Sequence, residues 1–361
     1  MVYNKNILCK VIASNSSKHF CRCLYSFPYE GFHTPVMAKE VLNSFEPKDG
    51  QVFIDMTFGS GGHTHQLLSS AKNTKIFALD RDPVSFSLAQ QYAGKFPNRV
   101  IPLLGKFSDL PLLLKHYNVK PNSIDGILFD SGCSSMQFDS PERGFSLNKD
   151  GPLDMRMDGH RIRHSITAAD VLARAEEYDL FKILKVYGEE KFSKKIARAI
   201  VEARYTFTRL ETTKELADLV AAVCSTEIRL DKLQRPAHAA TKTFQALRIF
   251  VNNEVNELNY GLLLANRYVK LGGKIVSLSF HSLEDRIVKR HLSGNVIDNA
   301  INPLPLKYTD HSVWHDEGSV VNLISSNWMP LYKHVLFPDS EEVAANPRSR
   351  SAKLRAAVKV K

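Results

Sequence analysis

The feature that most constrains the fold is a glycine-rich loop between two short apolar segments that each end in a carboxylate. The first segment ends at Asp55 within FIDMTFGSGGH, and the second, KIFALD, ends at Asp80, twenty-five residues later. The loop between them contains Gly59, Gly61 and Gly62. Strand, glycine turn, helix, strand and acid is the order of an adenosine-binding α/β half-domain. In such a unit a Cβ would block the turn from its ligand, and the final acid accepts hydrogen bonds from ribose hydroxyls.

The glycine spacing distinguishes the ligands that this loop could bind. A dinucleotide fingerprint, G-x-G-x-x-G, beginning at Gly59 requires a glycine at position 64, where the chain has Thr64. The pattern therefore favours S-adenosylmethionine, because a methionine group does not need the tight helix approach that a pyrophosphate needs. A dinucleotide stays open as the weaker alternative. A structural turn without a ligand would compete with both if Asp80 were missing.

Length and composition are those of a globular protein with a basic balance. The 361 residues can form two domains or one domain with an insertion, and 43% of them are apolar. No stretch reaches the roughly 18 to 20 apolar residues of a membrane span, so we expect no membrane partner. The formal net charge of +10 fits a nucleic-acid partner without being specific for one.

The first 29 residues differ in composition from the rest of the chain. They contain four basic residues, several serines and no acid, since the first acid is Glu30. This composition predicts a mitochondrial presequence, with an ordinary N-terminal tail as the alternative. Three of the five cysteines lie in this segment, and the other two, Cys133 and Cys224, are far apart in the sequence. We therefore expect neither a disulfide framework nor a metal site.

The apolar segments predict a parallel sheet covered on both faces, because they run without alternation. We expect strands at residues 51–55, 75–80, 99–104, 124–130 and 272–280. A helix before the first strand is predicted to have Thr34 as its N-cap and Pro35 as its first residue.

Helical signals replace the strand pattern between residues 139 and 235. Capping boxes are predicted at 167–170 and 212–215, and Gly188 is predicted to end a helix. One long helix is expected from about Thr241 to Tyr268. The predicted organisation is a presequence at 1–29, a sheet domain formed by 30–138 and 236–361, and an inserted helical domain at 139–235.

Eight segments spread over residues 32–356 carry a resemblance to a known family. They are HTPVMAKEVL, DMTFGSGGH, ALDRDP, ERGFSLNKDGPLDMRMD, YGEEKFSKKIARAIVEAR, TFQALRIFVNNE, SFHSLEDRIVKR and NPRSRSAKLR. With these segments the chain resembles the MraW/RsmH family of S-adenosylmethionine-dependent methyltransferases. Members of that family modify the exocyclic amine of a cytosine in small-subunit ribosomal RNA. With its basic leader, the chain looks like an animal mitochondrial member.

The resemblance implies a fold, a reaction and a location. The fold is a class I methyltransferase α/β domain, with a Rossmann-like sheet and a helical domain inserted after strand four. The reaction is N4-methylation of a cytosine in small-subunit ribosomal RNA, with S-adenosylmethionine as cofactor and no metal. The implied location is the mitochondrial matrix, and the implied partner is an immature small ribosomal subunit.

The resemblance also implies a set of cofactor contacts: Gly61, Gly62, His63, Asp80, Phe107, Asp130 and Gln137. Their chemistry suits these roles. The two glycines let the backbone approach the methionine group, and His63 begins a helix whose N-terminal amides favour a carboxylate. Asp80 holds the ribose, and Phe107 stacks on or flanks the adenine.

Asp130, at the end of strand four, is the predicted catalytic residue. A cytosine amine is a poor nucleophile because its lone pair is delocalised into the ring, so an acceptor for its N–H favours transfer. Asp154 and Asp158 are rival acceptors, although pairing with Arg156 would make them structural. Cys133 is expected to line the pocket, because the reaction needs no covalent nucleophile.

The RNA is expected to present its base unstacked. Lys191, Lys195 and Arg198 are predicted to form one basic face of a helix, and the NPRSRSAKLR tail is either a second RNA surface or an edge strand. Two other functions stay open: a small-subunit assembly factor in which RNA binding is the essential role, and an enzyme that acts on a protein or small molecule.

Overall fold

The computed structural model describes residues 35–162, 165–206, 209–224, 238–294 and 326–361. Its centre is a seven-stranded sheet in the order β3-β2-β1-β4-β5-β7-β6. The strands are β1 Val52–Asp55, β2 Lys75–Asp80, β3 Val100–Leu104, β4 Ile124–Asp130, β5 Val269–Ser279, β6 Trp328–Pro330 and β7 Lys353–Lys359. Strands β1 to β5 are parallel, whereas β7 is antiparallel to both β5 and β6. The predicted α/β, Rossmann-like fold is confirmed.

Helices cover both faces of the sheet, as the continuous apolar strands predict. Alternate strand residues face opposite layers: Ile54 and Phe129 join one apolar cluster, whereas Phe53 and Leu128 join the other. The helices that flank the first four strands are α1 Ala38–Phe45, α2 Gly62–Ser70, α3 Pro83–Lys95 and α4 Leu110–Lys115. Those near the C-terminal strands are α12 Ser282–Leu292 and α13 Ser340–Ala345.

Between β4 and β5 all regular elements are helical in the part of the chain that the structure describes. They are α5 Ser135–Asp139, α6 Ala168–Arg174, α7 Glu177–Gly188, α8 Ser193–Tyr205, α9 Thr213–Val223, α10 Thr241–Val251 and α11 Glu254–Tyr268. Helices α6 to α10 share an apolar cluster of their own, which includes Leu184, Ile196, Leu216 and Leu247. Both predicted capping boxes, at the starts of α6 and α9, are confirmed. The domain boundaries at 139 and 235 stay predictions.

The single helix expected from Thr241 to Tyr268 is wrong, because α10 and α11 are separate. Asn253 lies between them in the left-handed region, with φ 51°, which asparagine tolerates better than most residues. The preceding residue, Asn252, is buried and uses its side chain elsewhere. Its Nδ2 donates to the carbonyl of Met155 and its Oδ1 accepts from the amide of Met157. The side chain of Asn252 therefore connects the segment after β4 to the junction between α10 and α11.

Three smaller expectations are corrected. Helix α1 begins at Ala38 rather than at Pro35, because Met37 is in the left-handed region, and Thr34 lies outside the described residues. Gly188 is the last residue of α7, and the left-handed residue after it is Glu189. Strand β7 is not an edge strand, since β6 pairs with it on the outer side. The predicted presequence lies outside the described residues.

Within the described ranges, no helix combines the length and the apolar character needed to cross a membrane.

Candidate functional site

A cavity of about 1280 Å³ opens where β1, β2 and β4 end at their carboxyl termini. Ligands bind at this edge in open α/β sheets. All of the predicted site residues line the cavity except Gly61. The fold therefore brings together residues that lie more than seventy positions apart in the sequence, from Gly62 to Gln137.

The glycine loop is fixed by its protein neighbours. Gly61 has φ 84°, and a Cβ there would lie 2.7 Å from the ring of Phe58. A Cβ on Gly62 would lie 3.1 Å from the ring of Pro35. A side chain at either position would therefore collide with or crowd these rings.

Asp55 also stabilises the glycine loop. It is buried at the end of β1 and accepts hydrogen bonds from the amide of Thr57 at 3.1 Å and the hydroxyl of Thr64 at 2.7 Å. Burial raises the pKa of Asp55 above its ordinary value. Thr64, the residue that breaks the dinucleotide pattern, is therefore used to anchor this carboxylate.

Asp80, at the end of β2, is oriented by the backbone. Its Oδ2 accepts from the amide of Gly59 at 2.8 Å, and its Oδ1 accepts from the amide of Asp82 at 2.9 Å. Burial raises the pKa of Asp80 to about 6, although these two hydrogen bonds lower it. Each oxygen keeps a lone pair for a second donor at the cavity.

Asp130 and His63 form a polar pair with unused hydrogen-bonding capacity. The Nε2 of His63 lies 3.6 Å from Oδ2 of Asp130. Asp130 Oδ1 and both ring nitrogens of His63 are buried without a hydrogen-bond partner among the described residues. Such atoms are costly to bury and commonly mark a site where a ligand supplies the partner. The backbone amide of Asp130 donates to the hydroxyl of Thr57, which links β4 to the glycine loop.

Phe107 and Gln137 form two other parts of the cavity wall. The ring of Phe107 packs edge-on against Phe129, with centroids 5.6 Å apart. Gln137 is buried in α5, where its Nε2 donates to Asp82 at 2.8 Å and its Oε1 accepts from the amide of Ser134. Gln137 therefore connects α5 to the start of α3 in addition to lining the cavity.

The two rival carboxylates are engaged in ion pairs. Asp154 binds Arg156 through both carboxylate oxygens. Asp158 pairs with Arg81 and Arg161 instead of the predicted Arg156, and these cations lower its pKa. Neither carboxylate lines the cavity, although Met155 and Met157 beside them do.

A charge cluster that is largely shielded from solvent, next to the loop after β4, was not predicted. Arg248 forms two hydrogen bonds to Glu254, at 2.8 and 2.9 Å, and its Nη2 lies 3.4 Å from Glu284. Cys133 lies against this cluster, and burial raises the pKa of its thiol to about 12. The thiol stays protonated, as expected for a residue of the pocket wall. Arg248 and Glu254 are six residues apart, but Glu284 and Cys133 come from other segments, which sequence spacing did not group with them.

The predicted basic helix face is wrong. Lys191 precedes α8 and lines the cavity, whereas Lys195 lies over the ring of Phe192 and Arg198 pairs with Glu202. Lys242 of α10, which was not predicted, also lines the cavity. From the C-terminal tail, Arg348, Arg350 and Lys353 line it as well.

Among the described residues there is no group of three or more His, Cys, Asp or Glu side chains that could hold a metal ion.

Curated relatives align with nearly the whole chain. A Drosophila melanogaster protein named a methyltransferase-like protein 15 homolog is 55% identical over 331 residues, covering 91% of this chain and 92% of that protein. The human protein named 12S rRNA N(4)-cytidine methyltransferase METTL15 is 49% identical over 339 residues, covering 91% and 83%. A Culex quinquefasciatus protein whose name, mosPTP-1, is that of a receptor-type tyrosine-protein phosphatase is 60% identical over 328 residues. This chain spans only 22% of the length of that mosquito protein.

A family model described as the MraW methylase family matches residues 30–360, a range that contains the sheet, the helical segment and every residue of the cavity described above. The chain belongs to the MraW methylase family.

Proposed function

We propose that this protein transfers a methyl group from S-adenosylmethionine to N4 of a cytosine in small-subunit ribosomal RNA. The observation that carries the proposal is the unpartnered Oδ1 of Asp130 in the cavity of a methylase-family chain. The human relative, which is named a 12S rRNA N(4)-cytidine methyltransferase, supports the choice of base and of RNA class.

The end of the cavity near β1 and β2 suits the cofactor. Asp80 is positioned to accept from the ribose hydroxyls, and Phe107 offers a ring to the adenine. The buried, unpartnered nitrogens of His63 fit polar groups of the methionine part. When bound, S-adenosylmethionine supplies a methyl group already activated by a positively charged sulfur, so the protein contributes mainly alignment and electrostatics.

Asp130 is the proposed acceptor for the cytosine amine. A carboxylate oxygen without another partner accepts a hydrogen bond from the amine N–H, which raises electron density on the nitrogen, and then accepts the proton. His63 lies beside the other oxygen, with its Nε2 3.6 Å away. The ion-paired Asp154 and Asp158 are poorer candidates because they do not line the cavity.

The size of the cavity agrees with two ligands. Its volume of about 1280 Å³ exceeds the roughly 300–1,000 Å³ that is typical of a site for one small molecule. A cytosine enters only if it is unstacked from its neighbours. Lys191 and Lys242 on the cavity wall are suited to the RNA backbone, and an immature small subunit would offer such an exposed base.

The proposed location is the mitochondrion, within the matrix. The acid-free, basic residues 1–29 support it, as does the 12S ribosomal RNA in the name of the human relative. A fusion of residues 1–29 to a reporter protein tests the import part of the proposal. A reporter that stayed in the cytosol would contradict it.

The decisive experiment maps N4-methylcytosine in mitochondrial small-subunit ribosomal RNA from cells with and without the protein. One modified position should disappear and return when wild-type protein is restored. A catalytically inactive variant that restores ribosome assembly without the modification would favour the alternative, an assembly factor that acts by binding RNA. An unchanged pattern of modification would contradict the proposed reaction.

A further inference from the structure

An aromatic side chain stands at the cavity without a packing role in the core. Phe337 lines the cavity, yet 60% of its side chain is exposed. Removing a large apolar side chain from water is favourable in free energy. A solvent-exposed phenylalanine at a binding cavity is therefore a candidate ligand contact.

The backbone around Phe337 is rigidly held. Its neighbour Leu336 forms a two-bond bridge with Leu354 of β7, with N–O distances of 3.0 and 2.9 Å. On the other side, Asp339 caps α13 by accepting from the amide of Glu342. The ring is therefore presented from a fixed frame between the sheet and a helix, which lowers the entropy cost of binding against it.

The chain that follows Phe337 also brings cations to the cavity. Arg348, Arg350 and Lys353 line the cavity, and Arg348 pairs with Asp139, which lines it too, at 2.8 Å. Lys353 shares Asp285 with Arg355, at 3.1 and 2.7 Å, so that one carboxylate faces two cations and a positive charge remains. An exposed ring and cations in one cavity suit single-stranded RNA, since bases stack on aromatic rings and phosphates bind cations.

We propose that Phe337 forms a nucleotide subsite that stacks a base next to the target cytosine, with Lys353 placed near the adjoining phosphate. This inference rests on the proposed function, because it takes single-stranded RNA as the substrate. It adds a contact outside the reacting base. The protein binds the strand beside the flipped nucleotide, and Phe337 favours RNA in which the neighbouring nucleotide is unpaired.

The test compares Phe337→Ala and Phe337→Trp with wild-type protein in binding titrations. The probes are cytidine monophosphate and a short single-stranded RNA that contains one cytidine. Phe337→Ala should weaken binding of the RNA by between about 5-fold and 100-fold, as loss of one stacked base does. Phe337→Trp should bind the RNA about as tightly as wild type does. Neither change should alter binding of cytidine monophosphate, which has no neighbouring base.

Tyr178→Ala is the matched control, because Tyr178 is 63% exposed and lies outside the cavity lining. It should bind the RNA like wild type. The subsite is refuted if Phe337→Ala binds the RNA normally, if Tyr178→Ala loses as much affinity, or if Phe337→Ala also lowers the unfolding temperature, which would assign the ring to internal packing. Binding is measured without methyl transfer, so wild-type protein that binds but methylates no RNA would contradict the proposed reaction alone.

Discussion

At the residue scale, the two carboxylates of the cavity differ in how the backbone treats them. Asp80 accepts one amide hydrogen bond on each oxygen, whereas Oδ1 of Asp130 accepts none among the described residues. A carboxylate fixed by amides is oriented for binding, and a carboxylate with an unused oxygen is available for a reacting group. The two residues should therefore affect different steps.

Replacing Asp80 by alanine should weaken S-adenosylmethionine binding about 10-fold or more. The change removes the acceptor for the ribose hydroxyls, and hydrogen bonds to charged groups contribute roughly 1.5–3 kcal/mol. Isothermal titration calorimetry on the folded variant measures the effect. Unchanged affinity would refute the ribose assignment.

The same carboxylate should make cofactor binding depend on pH. Burial raises the pKa of Asp80 to about 6, so the acid is ionised above that pH and protonated below it. Ribose hydroxyls donate to the ionised form. Affinity should therefore be full at neutral pH and fall as the pH drops through about 6. Asp80→Asn cannot titrate and should bind weakly with a flatter pH profile; an equally steep profile would assign the titration to another group.

Asp130→Asn should lower the rate of methyl transfer by about 10²–10⁴-fold, the range typical of acid–base residues. The amide keeps the shape of the side chain but cannot accept the proton. Cofactor affinity should fall much less, because most adenosine contacts lie elsewhere. Single-turnover kinetics and calorimetry separate the two effects. Parallel losses would make Asp130 a cofactor ligand only.

At the element scale, the close approach of α7 and α10 depends on a single glycine. A Cβ on Gly188 would lie 2.5 Å from the carbonyl oxygen of Lys242, a backbone atom that cannot move without shifting α10. Gly188→Ala should therefore lower the free energy of unfolding by about 1–3 kcal/mol, as overpacking does. Chemical denaturation measures the change.

Gly94→Ala is the control for this prediction. Gly94 also lies in a helix, α3, but a Cβ there meets nothing within 4 Å. Alanine should leave stability unchanged or raise it by up to about 1 kcal/mol, because it favours the helix. Equal behaviour of the two variants would show that the contact at Gly188 relaxes at little cost.

At the scale of the whole molecule, part of the excess positive charge lies on the wall of the cavity. Lys191 and Lys242 line it, and no carboxylate forms an ion pair with either among the described residues. The double variant Lys191→Ala/Lys242→Ala should bind single-stranded RNA more weakly. Its salt dependence should be shallower by about 0.7 unit of slope for each phosphate that a lysine no longer neutralises, the value for single strands. Binding measured over a series of salt concentrations tests this.

The matched control is Lys115→Ala/Lys120→Ala, which removes the same charge from exposed positions outside the cavity lining. It should keep the wild-type slope. If both double variants lower the slope equally, RNA binding follows net charge rather than the cavity wall.

The sequence by itself determined the local elements and the ligand-binding edge of the sheet. Strands β2 and β4 have the predicted bounds, and the boxes that begin α6 and α9 lie where the motifs placed them. These features depend on the periodicity of apolar side chains and on hydrogen bonds between residues a few positions apart, both of which the local sequence specifies. The carboxylates of Asp80 and Asp130 follow from the same pattern, since parallel strands end at one edge.

Only the tertiary structure decided which residues meet at that edge and how they are used. The break at Asn252 exists because its side chain bonds a loop about a hundred positions earlier, whereas helical periodicity predicts one continuous helix. Glu284 and Cys133 likewise reach Arg248 from other segments, and Phe337 is placed at the cavity by the bridge between Leu336 and Leu354. Such contacts depend on how the chain closes on itself, so neither spacing nor composition contains them.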